Sequence, residues 1–129
     1  MHPPSNRPWL LAVQEIPGYN YRPLYERAGF QVAVEYSVRR ALACLKTLVP
    51  EVIVADFSKR HFHDRVSNLE SLLAARNRFP SAHVLILYDP AHESDLAQLL
   101  ARCPADATLP LPAQDTALVQ LLERWARPT

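Results

Sequence analysis

Residues 28 to 56, AGFQVAVEYSVRRALACLKTLVPEVIVAD, read as a strand, a helix and a second strand. FQVAV (30 to 34) is a short strand. Ser37 is a helix N-cap, and Val38, Ala41, Leu42, Leu45 and Leu48 or Val49 follow it at the spacing of one buried stripe. EVIVAD (51 to 56) is a continuous apolar run, as expected of a strand buried on both faces of a parallel sheet. The run ends in a single carboxylate, Asp56, after which the chain turns basic through FSKRHFHDR. What that carboxylate does is the question the sequence poses.

The same alternation extends in both directions. WLLAV (9 to 13), HVLILY (83 to 88) and ATLPL (107 to 111) are further strands. A short first helix runs from Pro23 to Ala28, where Gly29 stops it. Ser67 and Glu70 form a capping box ahead of Leu69, Leu72 and Leu73. Asp89 or Pro90 opens a fourth helix carrying Leu96, Leu99, Leu100 and Cys103. Asp115 caps a fifth, whose inner face is Leu118, Leu121, Leu122 and Trp125. Strict alternation of strand and helix implies right-handed crossovers and a parallel sheet covered on both sides. Sites in such sheets lie beyond the carboxyl ends of the strands, where strand order reverses. That directs attention to Gln14, Glu15, Asp56, Tyr88 and Leu111.

A chain of 129 residues with 49% hydrophobic content fills one core. We expect a flexible tail over 1 to 8 and a single domain over 9 to 127. The formal charge is +1, with 14 basic and 13 acidic side chains spread along the length. No footprint for nucleic acid or an anionic membrane stands out. No apolar run approaches the roughly 20 residues of a membrane-spanning helix, and MHPPSNRP has no apolar signal core. A cytoplasmic location is expected, with Cys44 and Cys103 as reduced thiols and Cys44 in the core. Twelve prolines against two glycines exclude phosphate-cradling nucleotide loops, which need glycine where backbone amides approach the ligand.

From Trp9 to Arg124 the sequence resembles the receiver domain of two-component response regulators. The stretch 28 to 56 matches the family's run from the end of the first helix through the third strand. PADATLPLPAQDTALVQLLERW (104 to 125) resembles the stretch in which a strand ends in lysine-proline before the fifth helix. The resemblance implies a three-layer flavodoxin-like (βα)5 sandwich with a parallel five-stranded sheet ordered 2-1-3-4-5. It places Asp56 at the phosphoacceptor position, where a carboxylate attacks a phosphoryl donor with help from nearby positive charge. By the same resemblance, Gln14 and Glu15 replace the acidic pair that helps hold magnesium. Leu111 stands for the lysine, Tyr88 for the serine or threonine hydroxyl, and Thr108 for the aromatic switch residue. The family's lysine-proline bond is cis, which makes Leu111-Pro112 a candidate cis peptide.

With these positions altered, Asp56 is expected to be an inherited acid, and Tyr88 to fill the former pocket beside Thr108. The leading expectation is a non-catalytic pseudo-receiver, not an enzyme and without a cofactor. It would act as a protein-interaction module in bacterial signalling, dimerising through the fourth helix, fifth strand and fifth helix. A histidine kinase or an output domain is the kind of partner implied, with no nucleic acid or membrane. The loop with Lys59, Arg60, His61, His63 and Arg65 is a second candidate interaction surface, and one of its cations could pair with Asp56. The alternative is a working receiver phosphorylated on Asp56, with magnesium on Glu15 and Asp56. A third reading is a small-ligand sensor near Tyr88. Tyr19, Tyr21 and Tyr25, interleaved with Arg22 and Arg27, could stack on bases; the simpler reading packs Tyr25 on the sheet and leaves the other two on the rim.

Overall fold

The computed structural model describes residues 7–57 and 68–126. Strands β1 (Trp9–Val13), β2 (Gln31–Glu35), β3 (Val52–Phe57), β4 (His83–Tyr88) and β5 (Ala107–Pro110) form one parallel sheet in the order β2-β1-β3-β4-β5. Helices α1 (Arg22–Arg27) and α5 (Asp115–Ala126) cover one face. Helices α2 (Val38–Cys44), α3 (Asn68–Ala75) and α4 (Glu93–Arg102) cover the other. The expected three-layer α/β fold and strand order are therefore those of the molecule.

Alternation along each strand divides the core in two. Leu10, Val52, Val54, Leu85 and Leu87 point to the α1 and α5 side, where they meet Leu24, Phe30, Leu118 and Leu122. Leu11, Ile53, Ala55, Val84 and Ile86 point the other way, onto Ala41, Leu72, Leu96 and Leu99. All six residues of β3 are buried, as an apolar run in a central parallel strand requires.

Several boundaries differ from the sequence expectations by a residue or so. β2 and β3 each start and end one residue later, because Gln31 pairs with Trp9 and Phe57 with Tyr88. Asp89 caps a single 3-10 turn, Pro90–His92, through a bond from the Ala91 amide, and α4 begins only at Glu93. Asp115 is the first residue of α5 instead of its cap; the Leu118 amide bonds the Gln114 carbonyl. Ser37 does cap α2, accepting from the Arg40 amide at 3.2 Å. Cys44 is half-buried and not a core residue, since it ends α2 beside the cluster and not beneath it. Burial and the neighbouring charge of Glu35 raise its thiol above the ordinary cysteine range, which disfavours thiolate reactivity.

Arg76, in the 3-10 turn that follows α3, is not left to solvent. Its guanidinium bonds Asp106 at 2.8 Å, and the same carboxylate oxygen accepts the Val84 amide at 2.6 Å. The pair ties the end of α3 to the entry of β5. Ser67 and the basic loop residues Lys59, Arg60, His61, His63 and Arg65 lie outside the described residues. Among the described residues no helix is long and apolar enough to cross a membrane.

Candidate functional site

Asp56 is the fifth of the six residues of β3, pairs with Leu87 of β4, and its side chain points to the α1 and α5 face. It is 3% exposed and is the one charged side chain in the buried core of the described residues. A carboxylate at that depth needs partners on its oxygens. They come from the loop between β1 and α1. The Glu15 amide donates to Oδ1 at 3.0 Å, the Ile16 amide to Oδ2 at 2.9 Å, and the Tyr19 hydroxyl to Oδ2 at 2.6 Å.

The loop is shaped to deliver those donors. Gln14 continues β1 by donating its amide to the Glu35 carbonyl at 2.8 Å, and its side-chain Nε2 donates to the Tyr19 carbonyl. Pro17 and Gly18 make the turn between them. Gly18 sits at φ +99°, a backbone conformation that disfavours any side chain. The turn returns Tyr19 over the strand end. Burial first, and then the charge of Asp56 that it bonds, push the Tyr19 hydroxyl far above the usual phenol range. It therefore remains a donor at every ordinary pH.

Tyr21 and Tyr25 complete the cluster. The rings of Tyr19 and Tyr21 lie 5.0 Å apart at 37°, and the Tyr21 hydroxyl accepts the Ala113 amide at 2.9 Å. Tyr25 is buried on the sheet, and desolvation raises its hydroxyl too. A cleft of about 240 Å³ opens beside them, lined by Ile16, Tyr19, Tyr21, Asp89, Leu111 and Pro112 among others. Asp56 is not on its wall, because Tyr19 stands between.

No protein-family model matches the sequence, and no curated protein does. Solved structures do match in fold. The CheY-like response regulator receiver domain protein of Methanospirillum hungatei JF-1 superposes with a TM-score of 0.75 at 15% identity, covering 92% of this chain and 93% of that one. The signal receiver domain of an HD domain-containing protein from Pseudomonas fluorescens Pf-5 gives 0.72 at 21% identity, with 94% of each chain covered. The signal receiver domain of a signal transduction histidine kinase from Syntrophus aciditrophicus gives 0.72 at 20%, covering 92% and 89%. The chain has the receiver fold.

Within that fold, the altered positions fall as follows. Gln14 holds the loop, and Glu15 gives Asp56 its backbone amide. Leu111 is half-buried against the α1 and α5 cluster and lines the cleft, and its bond to Pro112 is cis. Tyr88 lies beside Phe57, packs on the opposite cluster and does not line the cleft. Thr108 is exposed on β5. The side chain that covers Asp56 among the described residues is Tyr19, where the sequence suggested Tyr88.

Magnesium needs carboxylate oxygens that face the ion. Here the positive ends of three donors already point at the two oxygens of Asp56. Among the described residues no group of three or more His, Cys, Asp or Glu side chains could hold a metal. In this arrangement both oxygens of Asp56 face hydrogen-bond donors. Sequence reasoning missed Tyr19 and Tyr21 as site residues; the available signal was a Pro-Gly turn followed by two tyrosines, at the end of a strand whose neighbour ends in Asp.

Proposed function

We propose that this chain is a non-catalytic pseudo-receiver: a protein-interaction module of a bacterial two-component-type system whose output does not depend on phosphorylation of Asp56. The single observation that carries the reading is that both oxygens of Asp56 are held by the β1 to α1 loop, through two amides and the Tyr19 hydroxyl. Aspartyl phosphorylation requires the carboxylate to reach an anionic phosphoryl group, with positive charge to screen the approach. Nearby, Leu111 offers neither charge nor a side-chain donor. In this reading Asp56 is a structural anchor that fastens the β1 to α1 loop. Protein partners of the histidine-kinase or output-domain kind, a homodimer through α4, β5 and α5, and a cytoplasmic location belong to the same proposal.

The alternative, a phosphoacceptor with magnesium on Glu15 and Asp56, draws on the place of Asp56 at the end of β3. It would need the loop to lift and Tyr19 to release its bond. Incubation with magnesium and acetyl phosphate, followed by intact-mass measurement, separates the two. No adduct is expected on folded wild-type protein. An adduct present in wild type and absent from Asp56→Asn would overturn the pseudo-receiver reading.

A further inference from the structure

On the far side of the sheet from Asp56, α2 and α3 enclose a groove of about 520 Å³. Arg39, Leu42, Ala43 and Lys46 fall at the spacing of one helix face, with Lys46 in the turn that continues α2. Arg78, from the 3-10 turn after α3, approaches from the other bank, and Ser37 and Ser71 add hydroxyls. Val38, Leu42 and Ala43 supply an apolar floor. Among the described residues no acidic side chain lines the groove. Among the described residues Arg39, Lys46 and Arg78 make no ion pair, although Arg22, Arg76 and Arg102 each do. The third cation, Arg78, rests over the Phe79 ring at 5.9 Å.

We propose that this groove docks an acidic segment of a partner protein, one that places an apolar side chain on the floor and carboxylates against the three cations. Charge complementarity selects the sign of the occupant. Spacing selects its length. Arg39 and Lys46 are separated by two helical turns, about 10 Å, which is more than one phosphate bridges. Nucleic acid is disfavoured because, among the described residues, no aromatic ring lines the groove to stack a base, and the chain as a whole carries only +1. The volume lies in the range of pockets that hold a ligand or a few side chains. The proposal deepens the interaction-module reading, since it names the chemistry of one partner, but it does not use Asp56.

The test uses the whole chain and a dye-labelled peptide of glutamate and leucine, with a lysine and leucine peptide as control. Fluorescence anisotropy should show binding of the acidic peptide alone, weakening as salt is raised. Amide shifts in two-dimensional NMR should centre on Ser37, Leu42, Lys46, Ser71 and Arg78. The double variant Arg39→Glu, Lys46→Glu should bind about tenfold more weakly or worse. Both side chains are exposed, so its melting curve should stay close to wild type; Arg78→Glu, on the other bank, gives an independent check. Undetectable binding at low salt, equal binding of the lysine peptide, or indifference to both variants would overturn the proposal. So would tighter binding of a single-stranded oligonucleotide than of the peptide. An acetyl-phosphate adduct with peptide binding intact would sink the pseudo-receiver reading and leave the groove; no adduct and no binding would do the reverse.

Discussion

On one face of the sheet, α1 and α5 close over Leu10, Val54 and Leu87 with Tyr25 buried among them and Tyr19 and Tyr21 at the margin, their hydroxyls spent inward on Asp56 and on the Ala113 amide. On the other, α2, α3 and α4 close over Leu11, Ile53 and Ile86 with side chains that are almost all aliphatic, and the polar groups stay at the rim. Both faces bury their apolar surface in the same way. They differ in where charge sits. The first face buries a carboxylate and surrounds it with donors; the second leaves cations exposed over an apolar floor. Buried, partnered charge fixes one arrangement of a loop, whereas exposed charge without a partner remains available to another molecule.

The largest effect should come from removing the buried charge itself. In Asp56→Ala the amides of Glu15 and Ile16 and the Tyr19 hydroxyl lose an acceptor that is itself buried. We expect a loss of about 3 kcal/mol in urea unfolding, given the cost of unsatisfied buried donors and of bonds to a charged group. A change within experimental error would break the comparison, because Asp56 would then not anchor the loop.

The fold was legible because its signals are local. EVIVAD and HVLILY are apolar on both faces, Ser37 and the stripe of α2 lie within one helix, and the alternation of such segments leaves few topologies. The site was half legible for the opposite reason. Asp56 announces itself as the carboxylate at a strand end, but Tyr19 lies 37 positions away in the chain and meets it only because the Pro17-Gly18 turn folds back. Tyr88 drew the attention that belonged to Tyr19: parity along β4 sends it with Phe57 to the other face. The groove shows the same limit. The spacing of Arg39 and Lys46 is visible in α2, whereas the approach of Arg78 depends on how α3 packs.

A smaller effect should follow from removing one donor and keeping the acid. Tyr19→Phe leaves the ring and the two amides in place and deletes one bond to a charged oxygen. The expected loss is about 1.5 kcal/mol. A pH dependence accompanies it. The Tyr19 hydroxyl titrates far higher in the folded protein than in the unfolded chain, where a phenol ionises at about pH 10. Above that pH the unfolded chain has lost a proton that the folded protein keeps, so wild-type stability falls as pH rises further. Below it the contribution is complete and constant. Tyr19→Phe should therefore show a shallower decline than wild type between neutral and strongly alkaline pH in urea titrations. Parallel declines would mean that the hydroxyl is not held by Asp56 in solution.

The smallest effect should lie on the second face, and it sharpens the comparison by its size. Arg102 bonds Glu70 at 3.5 Å across α4 and α3, with the arginine side chain 64% exposed. An ion pair in that position gains little over hydration and gives up side-chain freedom. Arg102→Ala should shift stability by no more than about 0.5 kcal/mol, and added salt should reduce even that. If it instead cost as much as Tyr19→Phe, charge at the rim would be structural on both faces. The unpaired cations Arg39, Lys46 and Arg78 would then no longer stand apart as groups held ready for a partner.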